Sequence, residues 1–149
     1  MVGYCRGGSL IRLSKRTDYG LMAIRRLASV PGGACLSSRE IAEEHRISPA
    51  LMAKLLQRLA RKGLVASQHG TKGGYHMARP PASITLWDVI EAIEGPLCFI
   101  ECLDPSKGEC PQLPSCTVQR PLLQVRKMIA ELLGRTTLRD LEAKTPGAP

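Results

Sequence analysis

The chain has 149 residues, which is the usual length of one small domain or of a domain with an appendage. Apolar residues make up 44% of it and aromatic residues only 3%, so any core must be aliphatic. The net charge of +8 is unevenly placed, because residues 1–79 hold 14 Lys and Arg against 4 Asp and Glu, whereas residues 80–149 hold 7 against 9. This asymmetry indicates a nucleic-acid-binding module joined to a segment with another task.

Several classes of protein are disfavoured by the same sequence. No window approaches the roughly 18 apolar residues of a membrane span, and the N-terminus lacks the apolar stretch of a secretory signal. We therefore expect a cytoplasmic protein without a membrane partner, in which six cysteines serve metal or redox chemistry rather than a disulfide framework. The few histidines all lie in the basic half and suggest no nucleophile–base pair, so we expect neither an enzyme nor a small-molecule substrate.

Three helices are predicted in the first half, after a glycine-rich extension over residues 1–10 that is expected to be disordered. The first spans residues 14–29, where apolar side chains recur at helical spacing: Tyr19, Met22, Ala23, Leu27 and Ala28. Ser37 and Glu40 form a capping-box pattern that opens the second helix. Ser48 followed by Pro49 predicts the start of the third, which runs to about residue 62.

The third helix is predicted to have one buried and one exposed face. Its buried face carries apolar residues at i, i+3, i+4 and i+7, namely Met52, Leu55, Leu56 and Leu59. Two short helices of which the second is basic on its exposed face predict a helix-turn-helix, although a generic helical pair with solvated charges shares this pattern. The next residues favour the first interpretation. Two predicted strands, 64–68 and 75–78, flank a glycine-rich basic tip and complete a winged helix.

Duplex DNA is the partner that this arrangement favours. Glycines in the wing permit close backbone approach to phosphate, and Lys72 and His69 supply charge or hydrogen bonds. The predicted DNA-contacting residues are Ser37, Ser48, Ala50, Ala53, Lys54, Gln57, Arg58, Arg61, His69, Lys72, Gly73, Gly74 and Tyr75.

The second half predicts a short helix, a cysteine-rich loop and a long helix. Thr85 and Asp88 form another capping box, and the helix that they open ends near residue 94. The long helix spans about residues 117–133 and has a 3-4-3 apolar seam of Leu122, Val125, Ile129 and Leu132. A lone helix with such a seam needs a partner, and a second copy of the chain is the simplest one, so we expect a homodimer. A last short turn begins at Thr137, and residues 144–149 form a tail.

Three cysteines lie close together in the cysteine loop, which we define as residues 98–119. Cys102, Cys110 and Cys116 are separated by seven and five residues, among turn-forming Asp, Pro, Ser and Gly. These intervals are wider than the paired knuckles of a zinc site and suit an iron–sulfur cluster, but a structural zinc site and a redox switch built from a disulfide and a spare thiol remain open. Cys98 lies in an apolar run and fits better as a small apolar residue than as a ligand.

Several segments together resemble the IscR/NsrR/RirA type of bacterial winged-helix regulator, the Rrf2 family. The resemblance covers residues 11–142 and includes IRLSKRTDYGLMAIRRLAS, LSSREIAEEHRIS, LLQRLARKGLVAS, GTKGGYHMARP and the three-cysteine loop. It implies a homodimer crossed through the C-terminal helix, with Cys102, Cys110 and Cys116 holding a 2Fe–2S or 4Fe–4S cluster that senses iron, cluster status, oxygen or nitric oxide. The EGP…ECL…C…C run resembles the regulators of the SUF iron–sulfur assembly operon.

Two departures from the IscR pattern affect the expected site. Where IscR-type members place a histidine three residues after the last cysteine, this chain has Gln119, a poor iron ligand. Nitric-oxide-sensing members use an aspartate at the start of the partner's first helix, and Asp18 matches that position, although a helix-stabilising Asp is the alternative. Ala50 and Ala53 replace the Ser and Glu of the IscR recognition helix, so we expect a different operator.

The sequence thus predicts a mainly α-helical protein with a small β wing, a winged helix-turn-helix followed by a long dimerisation helix. Residues 11–80 are expected to bind a palindromic DNA operator and residues 81–143 to hold the cluster and pair the subunits. The expected function is that of a repressor regulated by an iron–sulfur cluster.

Overall fold

A computed structural model describes residues 13–96 and 109–143 of the chain. The predicted extension over residues 1–10, the tail over residues 144–149, and Cys98 and Cys102 lie outside the described residues.

The described ranges contain six α-helices and one two-stranded antiparallel sheet. In chain order these are α1 (Lys15–Ala28), α2 (Ser38–Glu44), α3 (Pro49–Arg61), β1 (Val65–Gln68), β2 (Gly74–Met77), α4 (Leu86–Glu94), α5 (Gln119–Arg135) and α6 (Leu138–Ala143). The predicted fold class, mainly α with a small β wing, is confirmed. None of the helices in these ranges has the length and apolar character needed to cross a membrane.

Local side-chain hydrogen bonds fix where two of the helices begin. The Ser37 hydroxyl accepts a bond from the Glu40 amide at 3.1 Å, and the Glu40 carboxylate accepts one from the Ser37 amide at 2.7 Å. Thr85 and Asp88 make the same reciprocal pair at 3.2 and 2.9 Å. Both predicted capping boxes are therefore confirmed, and each satisfies backbone donors that the first helical turn leaves open. Ser48 precedes α3 as predicted, but its side chain makes no capping bond.

The core is aliphatic, as the composition predicts, and it is formed mainly where α1, α2, α3 and α4 meet. Its fully enclosed side chains include Ile24, Ile41, Met52, Leu55, Leu56, Leu59, Ile84 and Val89. The prediction for the buried face of α1 was wrong at Met22, which is 38% exposed. Gly20 and Ile24 are buried on that face instead, and Gly20 lies against Ile93 of α4. The division of function at residue 80 stays a prediction.

The wing is held to the rest of the domain by a second, shorter backbone pairing. Strands β1 and β2 pair with Val65 opposite Met77 and Gln68 opposite Gly74. Leu36 and Tyr75 then exchange backbone hydrogen bonds of 3.0 and 2.8 Å, so the segment before α2 lies beside β2. The wing and the N-terminus of α2 are therefore positioned together.

Helix α4 is joined at its start to the junction between α5 and α6. The Leu86 amide donates to the Thr136 carbonyl at 2.8 Å, and the Leu138 amide donates to the Ile84 carbonyl at 2.9 Å. Leu138 is 1% exposed in the shared core. The C-terminal end of α5 is thereby anchored to the winged-helix part of the chain.

Helix α5 buries none of its residues within the described chain. Leu122, Val125 and Leu132 of the predicted seam are 40%, 48% and 66% exposed, and Met128 beside them is 67% exposed. An exposed apolar stripe of this length is typical of a surface that another protein covers.

Gly20 allows the closest approach between α1 and α4. A Cβ atom at Gly20 would lie 1.9 Å from Cδ1 of Ile93, whose side chain is only 2% exposed and cannot swing into solvent. We predict that Gly20→Ala lowers the free energy of unfolding by about 1–3 kcal/mol, the usual cost of overpacking a core. Urea denaturation at fixed protein concentration measures this change.

Two further variants control for other effects of the substitution. Ile93→Val removes the obstructing Cδ1 atom, so the double variant should recover part of the stability that Gly20→Ala loses. Gly134→Ala in α5 meets no atom within 4 Å and should be neutral or stabilise by up to about 1 kcal/mol. Equal destabilisation by both glycine substitutions would contradict the close packing of α1 on α4.

Candidate DNA interface and cysteine loop

Helix α3 presents a polar face opposite its buried apolar residues. Ala50, Lys54, Gln57 and Arg61 are exposed and recur at spacings of four, three and four residues, which places them on one side of the helix. Ser48 at its N-terminus is also exposed, whereas Ala53 is half-buried. Most of the predicted recognition residues on this helix therefore share one accessible surface.

Arg58 has an intramolecular partner. Its guanidinium donates to the backbone carbonyl of Ile93, in the last turn of α4, at 2.6 Å. Carbonyls in the last turn of a helix lack intrahelical partners, and a cation there also interacts favourably with the helix dipole. Arg58, predicted to contact DNA, thus also caps α4, a role that no local sequence signal indicates because the two residues are 35 positions apart.

A cleft of about 670 Å³ brings the wing and the start of α2 together. Ser37 and Glu40 line it from the capping box of α2, and Lys72 and Gly73 line it from the wing tip. Hydrogen bonds from the side chain and the backbone amide of Ser37 lower the pKa of Glu40. Three of the predicted DNA-contacting residues, Ser37, Lys72 and Gly73, therefore lie on one surface.

Three predicted DNA-contacting residues of the wing, Gly73, Gly74 and Tyr75, also have internal packing roles. A Cβ at Gly73 would lie 2.5 Å from the Gln68 carbonyl oxygen, and one at Gly74 would lie 2.5 Å from the Leu36 carbonyl oxygen. Tyr75 is half-buried and packs against the core. His69, in contrast, is exposed at the tip. The glycines are thus needed to close the hairpin against its neighbours, whether or not the backbone also approaches phosphate.

One cysteine outside the cysteine loop, Cys35, lies at the base of the wing. The Sγ atom of Cys35 lies 3.2 Å from Oε1 of Gln68 and 3.6 Å from Nδ1 of His76. The thiol therefore joins the segment before α2 to both strands of the wing.

The described end of the cysteine loop forms a compact turn over residues 110–116. The Leu113 amide donates to the Cys110 carbonyl at 3.0 Å, and the Cys116 amide donates to the Leu113 carbonyl at 3.4 Å. Cys110 and Cys116 are both free, half-buried thiols, and Cys116 lies three residues before the start of α5. This turn offers two thiol donors beside the N-terminus of the long helix.

Asp18 is exposed in the first turn of α1. Within residues 13–96 and 109–143, no three His, Cys, Asp or Glu side chains are placed to hold one metal ion. One chain therefore does not bring Asp18 to Cys110 and Cys116, and whether the partner's Asp18 does so stays a prediction. Cys102 lies outside the described residues.

Glu94, which the sequence does not single out, joins the end of α4 to the start of α1. Its Oε1 accepts hydrogen bonds from the hydroxyls of Ser14 and Thr17 and, at 3.2 Å, from the Ser14 amide. Partial burial acts to raise the pKa of Glu94, but these hydrogen bonds and the charge of Arg16 outweigh it and lower the pKa. The bonds therefore contribute their full stability above the ordinary pKa of a glutamate, and this contribution is lost as the pH falls through the lowered pKa of Glu94 in the folded protein.

The fold and this surface define a winged-helix DNA-binding protein. The model of the Rrf2 family, described as iron-dependent transcriptional regulators, matches residues 13–144. The chain belongs to the Rrf2 family, so it is a DNA-binding transcription regulator and not an enzyme.

Individual relatives agree with this assignment. Protein aau3 of Rhizobium meliloti (strain 1021) is 33% identical over 138 residues, which cover 91% of this chain and 88% of that protein. CymR, the global cysteine regulator of B. subtilis, has a structure that is similar with a TM-score of 0.69 and 30% identity, over 91% of this chain and 98% of its own. T. potens IscR is similar with a TM-score of 0.65 and 30% identity, over 93% and 94% of the two chains.

Charge removal on this surface should reduce the salt dependence of DNA binding. We predict that Arg61→Ala and Lys72→Ala each lower the slope of log K against log salt concentration by about 0.9 on a random-sequence duplex, because each removes one phosphate-neutralising charge. Fluorescence anisotropy over a salt series measures the slopes. The control is Arg139→Ala, an exposed charge on α6 that lies outside the predicted interface. Equal slopes for all three variants and the wild type would show that α3 and the wing do not contact the phosphates.

Proposed function

We propose that this protein is a homodimeric transcriptional repressor whose affinity for a palindromic operator depends on an iron–sulfur cluster. Cys102, Cys110 and Cys116 are the proposed cysteine ligands, and the partner subunit's Asp18 is the proposed fourth. The observation that carries this proposal is the turn over residues 110–116, which presents two free thiols directly before a long helix with an exposed apolar face. The proposed site of action is the cytoplasm, and the proposed targets are genes for SUF iron–sulfur assembly.

The donor set fits iron–sulfur chemistry. Thiolates are the usual ligands of such clusters, and three of them on a turn-rich segment can reach separate corners of one cluster. A cluster at this position supplies a redox- and ligand-sensitive link between the thiolates, as a 2Fe–2S or a 4Fe–4S centre. The description of the Rrf2 family as iron-dependent, and the similarity to T. potens IscR, support this choice over a structural zinc ion.

The second subunit is argued from α5. Leu122, Val125 and Leu132 are at least 40% exposed in one chain, and together with the half-buried Ile129 they have the 3-4-3 spacing of a continuous seam. Pairing two such helices removes this apolar surface from water, which is the main driving force for association. A twofold dimer also places two recognition helices at a fixed distance, which a palindromic operator requires.

The chain's own residues then relate the cysteine loop to DNA. Cys116 lies three residues before the start of α5, and α4 ends at Glu94, four residues before the loop begins at residue 98. Loop cysteines that hold a cluster would limit the motion of α4 and α5. Loss of the cluster would free both helices, so that the separation of the two recognition helices in the dimer can change.

An anaerobic preparation tests the proposal. After reconstitution with ferrous iron and sulfide, we expect visible absorbance and about two or four iron and as many sulfide ions per chain. Cys110→Ser and Cys116→Ser should each lose most of the iron, whereas Cys35→Ser, at the base of the wing, should retain it. Asp18→Ala should dimerise normally but bind iron less tightly. Iron and sulfide analysis with size-exclusion chromatography measures these outcomes.

The alternatives give different results in the same experiment. A colourless protein that binds one zinc per chain after reconstitution would contradict the cluster and indicate a zinc site. A protein that binds no metal but whose DNA binding is sensitive to peroxide would indicate a thiol switch, provided that Cys110→Ser abolishes this sensitivity. The similarity to CymR, a global cysteine regulator, and the two free thiols in one turn favour this switch as the second candidate.

A further inference from the structure

The last turn of α4 is in contact with two different parts of the DNA-binding domain. Arg58 of α3 donates to the Ile93 carbonyl at 2.6 Å, and Ser14 and Thr17 at the start of α1 donate to the Glu94 carboxylate. These bonds join residues 35 and about 80 positions apart, so they are tertiary contacts rather than features of a single helix.

Packing at the same turn leaves little room for independent motion. The Ile93 side chain is 2% exposed and abuts Gly20 so closely that a Cβ atom there would collide with it. Thr17 is fully buried beside Glu94. A shift of this turn therefore has to move α1 and α3 or break their hydrogen bonds to it, because a close-packed interior does not absorb displacement locally.

This turn also leads directly into the cysteine loop. Gly95 caps α4, because its amide donates a hydrogen bond of 3.0 Å to the Glu91 carbonyl, and Cys98 lies only three positions further along the chain. Glu94 and Ile93 therefore lie in the last helical turn before the loop in the sequence.

We propose that the last turn of α4 couples the cysteine loop to the recognition helix, with Arg58 and Glu94 as the positioning residues. Arg58 connects the turn to α3, whose exposed face carries Lys54, Gln57 and Arg61. Glu94 connects it to the start of α1, near Asp18. The inference rests on the proposed function, since it requires that the loop exist in a cluster-bound and a cluster-free state.

The test compares the affinities of the two states in paired variants. The probe is a fluorescein-labelled duplex selected from a random-sequence pool with wild-type protein. The measured quantity is the ratio of the DNA affinities of the cluster-bound and cluster-free protein. Allosteric effectors commonly change an affinity by about 5- to 150-fold, and we expect this ratio to fall to about one in Arg58→Met and in Glu94→Ala. The matched controls are Arg61→Met, on the same turn of α3, and Glu91→Ala, one turn earlier on α4; both should keep the wild-type ratio.

The ratio separates coupling from direct DNA contact. Loss of a phosphate contact weakens binding equally in both states, so it changes the affinities and the salt slope but leaves their ratio unchanged. Circular dichroism and thermal unfolding verify that each variant is folded, and Arg58→Lys retains a donor if Arg58→Met is not folded. If the wild-type ratio differs from one, retention of that ratio by both Arg58→Met and Glu94→Ala would overturn the proposal.

Hydrogen exchange distinguishes this inference from the proposed function. In cluster-free protein, Arg58→Met and Glu94→Ala should both speed hydrogen exchange of the Gly95 amide. Cluster loading should slow hydrogen exchange in α3 of the wild type but not in α3 of either variant. A wild-type affinity ratio of one with this exchange pattern intact would contradict the regulatory function and leave the coupling standing. Unaltered exchange at Gly95 in both variants would contradict the coupling itself.

Discussion

The packing of the last turn of α4 against α1 and α3 is the constraint on which the rest of the arrangement depends. Ile93 fits there only because residue 20 is glycine, and its carbonyl is capped by Arg58 from the recognition helix. At the other end of α4, Ile84 and Leu86 are hydrogen-bonded to the junction between α5 and α6. One nine-residue helix thus connects the DNA-binding helices, the entry to the cysteine loop and the end of the long helix.

The distribution of polar and apolar surface follows from this arrangement. Lys54 and Arg61 on α3 and Lys72 on the wing are exposed where they can neutralise phosphates, and most of the exposed large apolar side chains of the described residues lie on α5, where they can pair subunits. The turn over residues 110–116 adjoins the N-terminus of α5. A ligand on its thiols would therefore act on the proposed subunit interface from one side of the loop and on α4 from the other.

Local sequence rules predicted the elements well because local chemistry determines them. Capping boxes at Ser37 and Thr85, Pro49 at a helix start and the glycine-rich hairpin tip each involve residues a few positions apart. Contacts across the chain could not be read in this way, and so Arg58 was predicted only as a DNA contact and Glu94 was not singled out. The turn before α3 is another example: Arg46 adopts a φ of 55°, which is rare for a residue other than glycine and was not predicted from the sequence.

Native mass spectrometry of anaerobically prepared protein tests the central claim most directly, because it counts subunits and cofactors in one particle. The chain has a mass of 16.2 kDa. The account predicts a dimer whose excess mass corresponds to one iron–sulfur cluster per subunit, and which loses that mass when Cys110 and Cys116 are both replaced by serine. A monomer, or a dimer whose only excess mass is zinc, would contradict it.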